Sequence, residues 1–286
     1  MSESRLPSAS MENEFLRLEY LTKTGPRIIG LYAKSAEGNL LAETPSVHWT
    51  TPVGEFYLRG GHRLWVAPEN PLFIGPEDGM SVIENDSVTL MGAVDASGLE
   101  KEIVIRLDGN CVKLSHRVTL HGNEPIELAP WTITQLRLGS MGILPLPANA
   151  GGLAPNRNLV LWPYSSVTDK RMELHDDLIL LHGESSNQAF KIGNRNTHGW
   201  IACALGDALF VKRFDVEEGV LPDLNCNVEM YVKDVCIELE VLGTLKTLYK
   251  GESATLNETW EVVVGKFPAN LETARIISGR LNSKNS

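Results

Sequence analysis

The chain has 286 residues, of which 43% are apolar and 22% are charged, so it can bury a hydrophobic core and lacks the composition of a disordered protein. Its formal net charge of −10 argues against a nucleic-acid partner, because proteins that bind the phosphate backbone usually carry a basic face. Residues 1–15 lack the apolar core of a signal peptide, and no later run approaches the roughly 20 apolar residues of a membrane span, so a cytoplasmic location without a membrane partner is expected.

Short segments of alternating apolar and polar residues recur along the chain, separated by turn residues. Such segments occur at residues 15–20, 87–90, 102–107, 112–120, 178–181, 228–232, 235–241 and 255–264. Asp108 and Gly109 supply a hairpin turn between two of them. Many short, hairpin-linked strands favour an all-β fold, namely an antiparallel β-sandwich.

The two ends of the chain and one central segment depart from this pattern. Residues 1–13 are predicted to be a disordered or extended tail, and residues 14–286 a single domain. Residues 139–155 are dense in proline and glycine, which predicts a long loop. Near the C-terminus, apolar residues recur at three- and four-residue spacing after a proline, which predicts a short helix over about residues 268–282.

The cysteines and histidines show no spacing typical of a metal site or a disulfide framework. The four cysteines contain no CxxC pair, and free thiols are favoured over disulfides. The seven histidines show no standard ligand spacing, and the chain lacks the glycine-rich motifs that hold nucleotide phosphates. Neither a metal nor a cofactor is predicted, although residues distant in sequence could still form a metal site.

The segment LRGGHRLWVAPE, residues 58–69, combines two glycines with charged and aromatic residues. In a regular strand Arg63 and Trp65 share one face and His62 lies on the other, because side chains alternate. His62 and Arg63 can then reach the same groove only if a bulge at the glycine pair re-aims one of them. We expect Arg63 and Trp65 to face the groove, with His62 as the weaker candidate.

Two predicted strands near the C-terminus carry acidic residues on one face. Glu238 and Glu240 alternate with aliphatic residues in VCIELEV, and Asn227 and Glu229 do so in NVEMYV. If the two strands are neighbours, three carboxylates share one surface and raise one another's pKa, as a general acid or base near neutral pH requires. A solvated sheet face explains the same pattern without any chemistry.

Trp65, Trp131 and two further tryptophans each lie beside polar or turn residues. Sugar rings stack on indole rings, and carboxylates, amides and arginines hydrogen-bond sugar hydroxyls, so this composition is typical of a carbohydrate site. A buried tryptophan is equally typical of a hydrophobic core. Lys212 in FVKRF serves either such a site or a charged strand face, and His116 is expected to be a hydrogen-bonded core histidine.

Several segments together resemble the galactose-mutarotase-like superfamily. LRGGHRLWVAPE is similar to an RGG-x4-P segment of hexose-6-phosphate mutarotase relatives, and LGTLKTLYKGESATLNETWEV is similar to the turn and last strand of aldose 1-epimerases. APWTITQLRLGSMGILPLP, NRNLVLWPY, KIGNRNTHGW and IELEVLGTL occur in the expected order. The resemblance spans roughly residues 14–265 and is greatest to a branch described as a domain of unknown function. It implies a β-supersandwich, a large antiparallel assembly whose concave face binds a sugar.

In epimerases of this superfamily a histidine protonates the ring oxygen and a glutamate takes the proton of the anomeric hydroxyl. The resemblance implies that Glu240 or Glu238 is that glutamate and that Arg63 contacts sugar oxygens. It supplies no matching histidine, because the strand that carries it in the family reads PWTITQ here, so His62 is the candidate acid. The predicted substrate-binding residues are Arg63, Trp65, Glu69, Trp131, Gln135, Lys212, Asn227 and Glu229.

Three functions are compatible with these features. The first is a carbohydrate-active protein that epimerises an aldose or a sugar phosphate with a glutamate base. The second is a non-catalytic sugar-binding or sensing domain that keeps the groove without the acid. The third is a lyase or hydrolase of sugar chains, which requires a tyrosine or histidine base and would use Tyr57 or Tyr231. The expected partner is a small sugar or sugar derivative.

Overall fold

Antiparallel strands make up most of the chain in the computed structural model, which describes residues 6–147 and 152–283. Numbered in chain order, the strands are β1 (Ser8–Glu12), β2 (Leu16–Leu21), β3 (Arg27–Ala33), β4 (Glu43–Thr51), β5 (Gly54–Gly60), β6 (His62–Ala67), β7 (Ser81–Glu84), β8 (Val88–Met91), β9 (Leu99–Asp108), β10 (Cys111–Leu120), β11 (Ile126–Leu136), β12 (Met141–Pro145), β13 (Val160–Leu161), β14 (Met172–Leu174), β15 (Leu178–His182), β16 (Phe190–Asn194), β17 (Trp200–Ala204), β18 (Gly206–Phe214), β19 (Val228–Val232), β20 (Ile237–Leu242), β21 (Lys246–Leu248) and β22 (Ser253–Phe267). The helical segments are a 3₁₀ turn at Pro71–Phe73, a single turn at Pro222–Asn225 and a C-terminal helix at Leu271–Ser283.

The strands form two large sheets and one separate hairpin. The first sheet has the order β1-β2-β3-β6-β11-β20-β19-β16-β13, with β21 paired to the start of β11. The second sheet has the order β14-β15-β12-β17-β18-β22-β10-β9-β8-β7, and β4 pairs with β5 to form the hairpin. Neighbouring strands run antiparallel, so the predicted antiparallel sandwich is confirmed.

The two sheets pack face to face because each carries aliphatic residues on one side. Leu64, Met230 and Leu239 of the first sheet belong to the same buried cluster as Ile103 and Trp260 of the second. Since side chains alternate along a strand, the residues next to Leu64, Met230 and Leu239 in sequence point away from the second sheet. The alternation therefore creates a second, separate surface on the first sheet, and the candidate site lies there.

The C-terminal helix covers the outer face of the second sheet with three buried residues, Ala274, Ile277 and Leu281. The side-chain oxygen of Asn270 accepts a hydrogen bond from the backbone N–H of Thr273 at 2.9 Å, which caps the first turn. The predicted helix is confirmed, and it begins at Leu271 because this cap immediately precedes it. No helix among the described residues is long and apolar enough to cross a membrane.

Two segments need comparison with the predictions made from the sequence. Residues 8–12, within the segment predicted to be a disordered or extended tail, are extended as strand β1 and pair with β2 at the edge of the first sheet. The predicted loop over residues 139–155 is wrong at its start, because residues 141–145 form β12 between β15 and β17. Apolar side chains on both faces of β12 are buried, which favours a central strand over a solvated loop. Residues 148–151 of that segment lie outside the described residues.

The glycine pair Gly60 and Gly61 turns the chain from β5 into β6. Both residues have left-handed backbone conformations, with φ of +85° and +74°. A Cβ atom added to Gly60 would lie 2.1 Å from the carbonyl oxygen of Ala42, and one added to Gly61 would lie 1.9 Å from that of Ile28. Only glycine fits both positions. The pair connects two strands, and β6 itself runs from His62 with regular alternation, without a bulge that re-aims a side chain.

Candidate functional site

Five neighbouring strands of the first sheet, β6, β11, β20, β19 and β16, carry polar and aromatic side chains on the face turned away from the second sheet. The register aligns them in rows: Arg63 lies opposite Ile133, Ile133 lies opposite Glu240, and Glu240 lies opposite Glu229. The term site face is used below for one set of residues: Arg63, Trp65, Trp131, Gln135, Lys191, Glu229, Glu238 and Glu240. Each of these side chains belongs to a residue at most 7% exposed.

Glu240 lies at the centre of the site face and is held through one carboxylate oxygen. Its Oε2 accepts a hydrogen bond from Trp131 Nε1 at 2.7 Å and another from Lys191 Nζ at 2.9 Å. Its Oε1 is buried and has no hydrogen-bond partner in the protein. An unpaired buried oxygen costs about 1–3 kcal/mol, so a bound ligand that donates to Oε1 would recover that energy.

Lys191 connects two carboxylates and two aromatic rings. Its ammonium lies 2.6 Å from Glu229 Oε2 and 2.9 Å from Glu240 Oε2, and 4.5 Å from the ring centres of both Trp131 and Trp162. Burial alone would lower the pKa of Lys191, but Glu240 and Glu229 outweigh it and raise that pKa above its ordinary value. Lys191 is therefore a permanent cation, unsuited to act as a nucleophile or as a proton donor near neutral pH.

The other two carboxyl groups of the site face favour the protonated form. Burial raises the pKa of Glu229 well above its ordinary value, and Lys191 opposes this rise only in part. Burial also raises the pKa of Glu238, against the opposing effect of Arg63. Glu238 Oε1 accepts hydrogen bonds from Gln135 Nε2 at 2.6 Å and from Arg63 Nη2 at 3.4 Å. The cluster thus combines two carboxyl groups whose pKa is raised by burial with a third that pairs with a cation.

Unpaired donors and acceptors lie side by side on three adjacent strands. Arg63 Nε and Nη1 are buried donors without a partner, and Gln135 Oε1 and Glu240 Oε1 are buried acceptors without one. The Arg63 guanidinium stacks 4.4 Å from the ring centre of Trp65, and the Trp65 and Trp131 rings meet edge to face at 5.6 Å. A ligand with several groups that donate and accept hydrogen bonds, such as a polyhydroxylated ring, has the chemistry to pair with these atoms beside an aromatic ring.

Comparisons with known proteins give a fold but no sequence relative. No family model matches the sequence, and no curated protein is significantly similar to it. A galactose mutarotase-like protein from Lactobacillus casei ATCC 334 superimposes with a TM-score of 0.61 and 11% identity, over 90% of this chain and 100% of its own. The Slr1438 protein from Synechocystis sp. PCC 6803 superimposes with a TM-score of 0.61 and 11% identity, over 93% of this chain and 98% of its own. A galactose mutarotase related enzyme from Lactobacillus acidophilus superimposes with a TM-score of 0.51 and 11% identity, over 92% of this chain and 100% of its own. The fold is galactose mutarotase-like.

Within this mutarotase-like fold the site face has a rim of less buried residues. Glu69 lies two residues after the end of β6, and burial raises the pKa of its carboxyl group against the opposing effect of Lys191. Tyr164 and Tyr231 meet edge to face at 6.5 Å, and burial raises the pKa of Tyr231, which disfavours the phenolate that a lyase base would require. Tyr57 is not part of this rim, since it stacks on His48 within the β4–β5 hairpin.

Asn227, predicted to bind substrate, instead has structural partners. Its Oδ1 accepts a hydrogen bond from the backbone N–H of Asn196 at 2.7 Å, and its Nδ2 donates to the backbone carbonyl of the same residue at 2.9 Å. Asn227 therefore fixes the loop that follows β16 beside the start of β19.

The structure does not bring His62 or Lys212 to the site face. Both are fully buried between the two sheets, because alternation along β6 and β18 directs them toward the core. Lys212 Nζ donates to Thr132 Oγ1 and Thr134 Oγ1, each at 3.1 Å, and pairs with Glu258 Oε1 at 3.1 Å. Within the described residues, no strand of the site face carries a histidine on that face. His62 and Lys212 are therefore corrected from site residues to core residues.

One group among the described residues has the geometry to hold a metal ion: His62, His116 and Glu258. His62 Nε2 and His116 Nε2 are 2.8 Å apart, and His116 Nδ1 donates to the backbone carbonyl of Leu256 at 3.0 Å. Burial lowers the pKa of both imidazoles, so both are neutral at pH 7. Because Lys212 already pairs with the carboxylate of Glu258, direct hydrogen bonds and one ion pair satisfy this group. None of the four cysteines forms a disulfide, and none belongs to this group.

Two residues of the site, Lys191 and Trp162, are not among the site residues predicted from the sequence. Lys191 alternates with the buried residues Phe190 and Ile192, which is the same signal that identifies Glu238 and Glu240. That alternation lies within KIGNRNTHGW and could have indicated Lys191 from the sequence. Trp162 lies beside a proline in a segment without alternation, and its position over Lys191 depends on the fold.

Proposed function

We propose that the site face binds a small sugar and interconverts its anomers, with Glu240 as the base. The observation that supports this most directly is that Glu240 Oε1 and the Arg63 Nε and Nη1 groups are unpaired, on the same face and in the same row of the sheet, with β11 between them. A sugar hydroxyl can donate to the first and accept from the second. The mutarotase-like fold supports the same proposal, because the resemblance places the family's glutamate on this strand.

The proposed reaction needs one base and one acid. Glu240 takes the proton of the anomeric hydroxyl while an acid protonates the ring oxygen, so that the ring C–O bond breaks and an open-chain aldehyde forms. Rotation about the adjacent C–C bond and the reverse proton transfers close the ring as the other anomer. The proposal requires no cofactor, since only protons move between the protein and the sugar.

We assign the acid to Glu238. Burial raises the pKa of Glu238, so it retains a proton at a pH where an ordinary glutamate has lost it. Glu238 and Glu240 are two residues apart on β20 and share one face, which separates their Cα atoms by about 6.6 Å. This assignment replaces the histidine of the family, which has no counterpart on the site face.

A second candidate function is sugar binding without catalysis. The ion pair between Lys191 and Glu240 favours it, because one carboxylate oxygen of Glu240 is already committed to a partner within the protein. The two candidates differ only in turnover, so binding and turnover must be measured on the same samples.

The test combines ligand binding and anomer exchange in one-dimensional and exchange NMR spectra of aldoses. We expect the protein to broaden the signals of a bound aldose and to accelerate exchange between its α and β anomers. Glu240→Gln is expected to abolish the acceleration and to retain the broadening. Glu127→Gln, an exposed carboxyl on the same strand as Trp131, is the matched control and should leave both unchanged. Broadening without acceleration in the unmodified protein supports the second candidate, and the absence of both contradicts the proposal.

A further inference from the structure

Lys212 is a fully buried lysine that reaches from the second sheet to the first. Its ammonium lies within 3.3 Å of five oxygen atoms, namely Thr132 O, Thr132 Oγ1, Thr134 Oγ1, Leu239 O and Glu258 Oε1. Three of these atoms belong to β11 and one to β20, while Glu258 on β22 supplies the negative charge. Lys212 therefore joins β11 to β20 from the side of the first sheet that faces the core.

The same two strands are joined from the opposite side of the sheet by two residues of the site face. Trp131 Nε1 on β11 donates to Glu240 Oε2 on β20 at 2.7 Å. The carbonyl of Leu239, which accepts from Lys212 at 3.2 Å, belongs to the peptide unit that leads directly into Glu240. Thr132, which offers two oxygens to Lys212, follows Trp131 in the chain. The two links thus act on neighbouring residues of the same strand pair.

The contact with Leu239 bears on the direction of the Glu240 side chain. The strand pairing places Glu240 opposite Ile133, but the tilt of the peptide plane between Leu239 and Glu240 also determines where the Glu240 Cα–Cβ bond points. An ammonium group held by other oxygens restrains that tilt, because rotation would move the carbonyl out of a charge-assisted hydrogen bond. The restraint matters to the proposed reaction, since a misplacement of about 1 Å at a reacting group costs roughly a hundredfold in rate.

Stability alone does not account for charged residues at this position in the core. A buried ion pair is often no more stabilising than apolar residues of similar volume. Both charges here are nevertheless fully hydrogen-bonded: besides Lys212, Glu258 accepts from Trp260 Nε1 at 3.0 Å and from Thr132 Oγ1. A polar cluster whose members all have partners is rigid, and this one lies directly beneath the strands of the site face.

We propose that Lys212 is a positioning residue that fixes the peptide unit before Glu240 against β11, and so holds Glu240 where Trp131 donates to it. Lys212 itself does not touch the ligand. The inference rests on the proposed function for the task of Glu240 as a base, but the position of Glu240 can be measured without a sugar.

The first measurement follows the indole N–H of Trp131 in ¹H–¹⁵N spectra, with the signal assigned by Trp131→Phe. Lys212→Met combined with Glu258→Gln removes both charges together, so that no unpaired charge remains buried. We expect the Trp131 signal to move upfield and its hydrogen exchange to become at least about tenfold faster, because its bond to Glu240 lengthens. A role in stability alone would leave this signal of the folded protein unchanged.

The control is Arg117→Met combined with Glu102→Gln, which removes a 2.7 Å ion pair between β9 and β10 of the second sheet. It should leave the Trp131 signal unchanged. If the double variant at Lys212 does not fold, Thr134→Val takes its place, because it removes one of the five oxygens and keeps the ion pair. Its Trp131 signal should move in the same direction by a smaller amount.

The second measurement compares anomer exchange with sugar binding by NMR. The double variant at Lys212 should exchange the anomers of a bound aldose at least about tenfold more slowly, with less than about a threefold change in affinity. Such a split is expected because the base is displaced while the ligand keeps its contacts.

The outcomes separate this inference from the proposed function. An unchanged Trp131 signal in the folded variant overturns the inference, and so does an equal change in the control. A shifted signal with an unchanged rate of anomer exchange overturns it as well, because the position of Glu240 would then not matter to the reaction. If the signal shifts but the unmodified protein accelerates anomer exchange of no aldose, the proposed function fails while the positioning of Glu240 by Lys212 stands.

Discussion

Lys191 and Glu240 form a buried ion pair with 2.9 Å between Nζ and Oε2, at the centre of a face that otherwise carries unpaired polar atoms. The pair joins β16 to β20, across the intervening strand β19. Its ammonium also lies 2.6 Å from Glu229 Oε2, so one lysine contacts two carboxyl groups. This arrangement makes the site face dependent on a single cation.

Removal of that cation should destabilise the fold. We expect Lys191→Met to lower the free energy of unfolding by about 3–5 kcal/mol, because it leaves buried carboxyl groups without their partner. Urea denaturation followed by circular dichroism measures the change. Lys34→Met is the matched control, since Lys34 pairs with Glu12 at the surface, with side chains 44% and 58% exposed, and should cost less than about 1 kcal/mol. Equal effects of the two substitutions would contradict the central position assigned to Lys191.

Stability should depend on pH through Glu238. Burial raises the pKa of Glu238 in the folded protein, whereas the unfolded chain releases that proton near the ordinary value of about 4.3. The folded state therefore holds more protons above that pH, and the stability contributed by the protonated group is lost as the pH rises through the folded pKa. Glu238→Gln should become progressively more stable relative to wild type between about pH 4 and pH 8. Urea denaturation at several pH values in this range measures the difference in unfolding free energy between Glu238→Gln and wild type. Glu127→Gln is the control, and its difference from wild type should not vary with pH. A pH-independent difference for Glu238→Gln would contradict the assignment.

The two core histidines should protonate at lower pH than ordinary histidines. His116 Nδ1 donates to a carbonyl, so its Nε2 accepts a hydrogen bond from His62 Nε2, and His62 Nδ1 accepts from the Thr134 hydroxyl. Long-range ¹H–¹⁵N NMR spectra at about pH 7.5 should show these opposite tautomers, and on acidification both rings should protonate below the midpoint of the urea-unfolded chain, which should lie near about 6.5. Burial lowers the pKa of both rings, so the free energy of unfolding should fall as the pH drops below that value. The same tautomer in both rings, or a midpoint at or above that of the unfolded chain, would overturn the proposed hydrogen-bond pattern.

Gly193 gives Glu229 its space on the site face. A Cβ atom at this position would lie 2.9 Å from Cys226 Sγ and 3.0 Å from Glu229 Cγ, both of which are buried. We expect Gly193→Ala to lower the free energy of unfolding by about 1–3 kcal/mol and to weaken sugar binding, because the crowded glutamate must move. Gly279→Ala in the C-terminal helix is the control: nothing lies within 4 Å of its Cβ, and alanine should raise stability by up to about 1 kcal/mol. Thermal and urea denaturation of both variants would contradict this account if Gly193→Ala were neutral.

The sequence predicts much of the fold and part of the site because burial on one side of a strand has a period of two. That period identifies the strands around Glu229, Glu238 and Glu240, and these three residues do share one face of the first sheet. The same period predicts that His62 and Arg63 point to opposite faces of one strand, and on β6 His62 points into the core while Arg63 belongs to the site face. The C-terminal helix is predictable for the equivalent reason, since its buried residues follow the helical repeat.

The rest of the site cannot be predicted from the sequence, because it depends on which strands pair and on which face of each strand meets the second sheet. The residues around Lys212 resemble a charged strand, and only the pairing of β18 with β22 directs Lys212 inward against Glu258 while Arg213 remains partly exposed. Lys191 lies about fifty residues from Glu240 in sequence, so its role follows from the β16–β19–β20 order. Alternation gives the two faces of a strand, but long-range pairing determines what each face contacts.

The position of Lys191 between two indole rings has an optical consequence. Three of the six tryptophans, Trp65, Trp131 and Trp162, lie on or over the site face, and two of them contact an ammonium group whose charge shifts indole emission. Trp200 and Trp260 are fully buried elsewhere and provide a constant background signal. The protein therefore contains its own fluorescent indicator, and the proposed sugar binding can be tested in the unlabelled, unmodified chain.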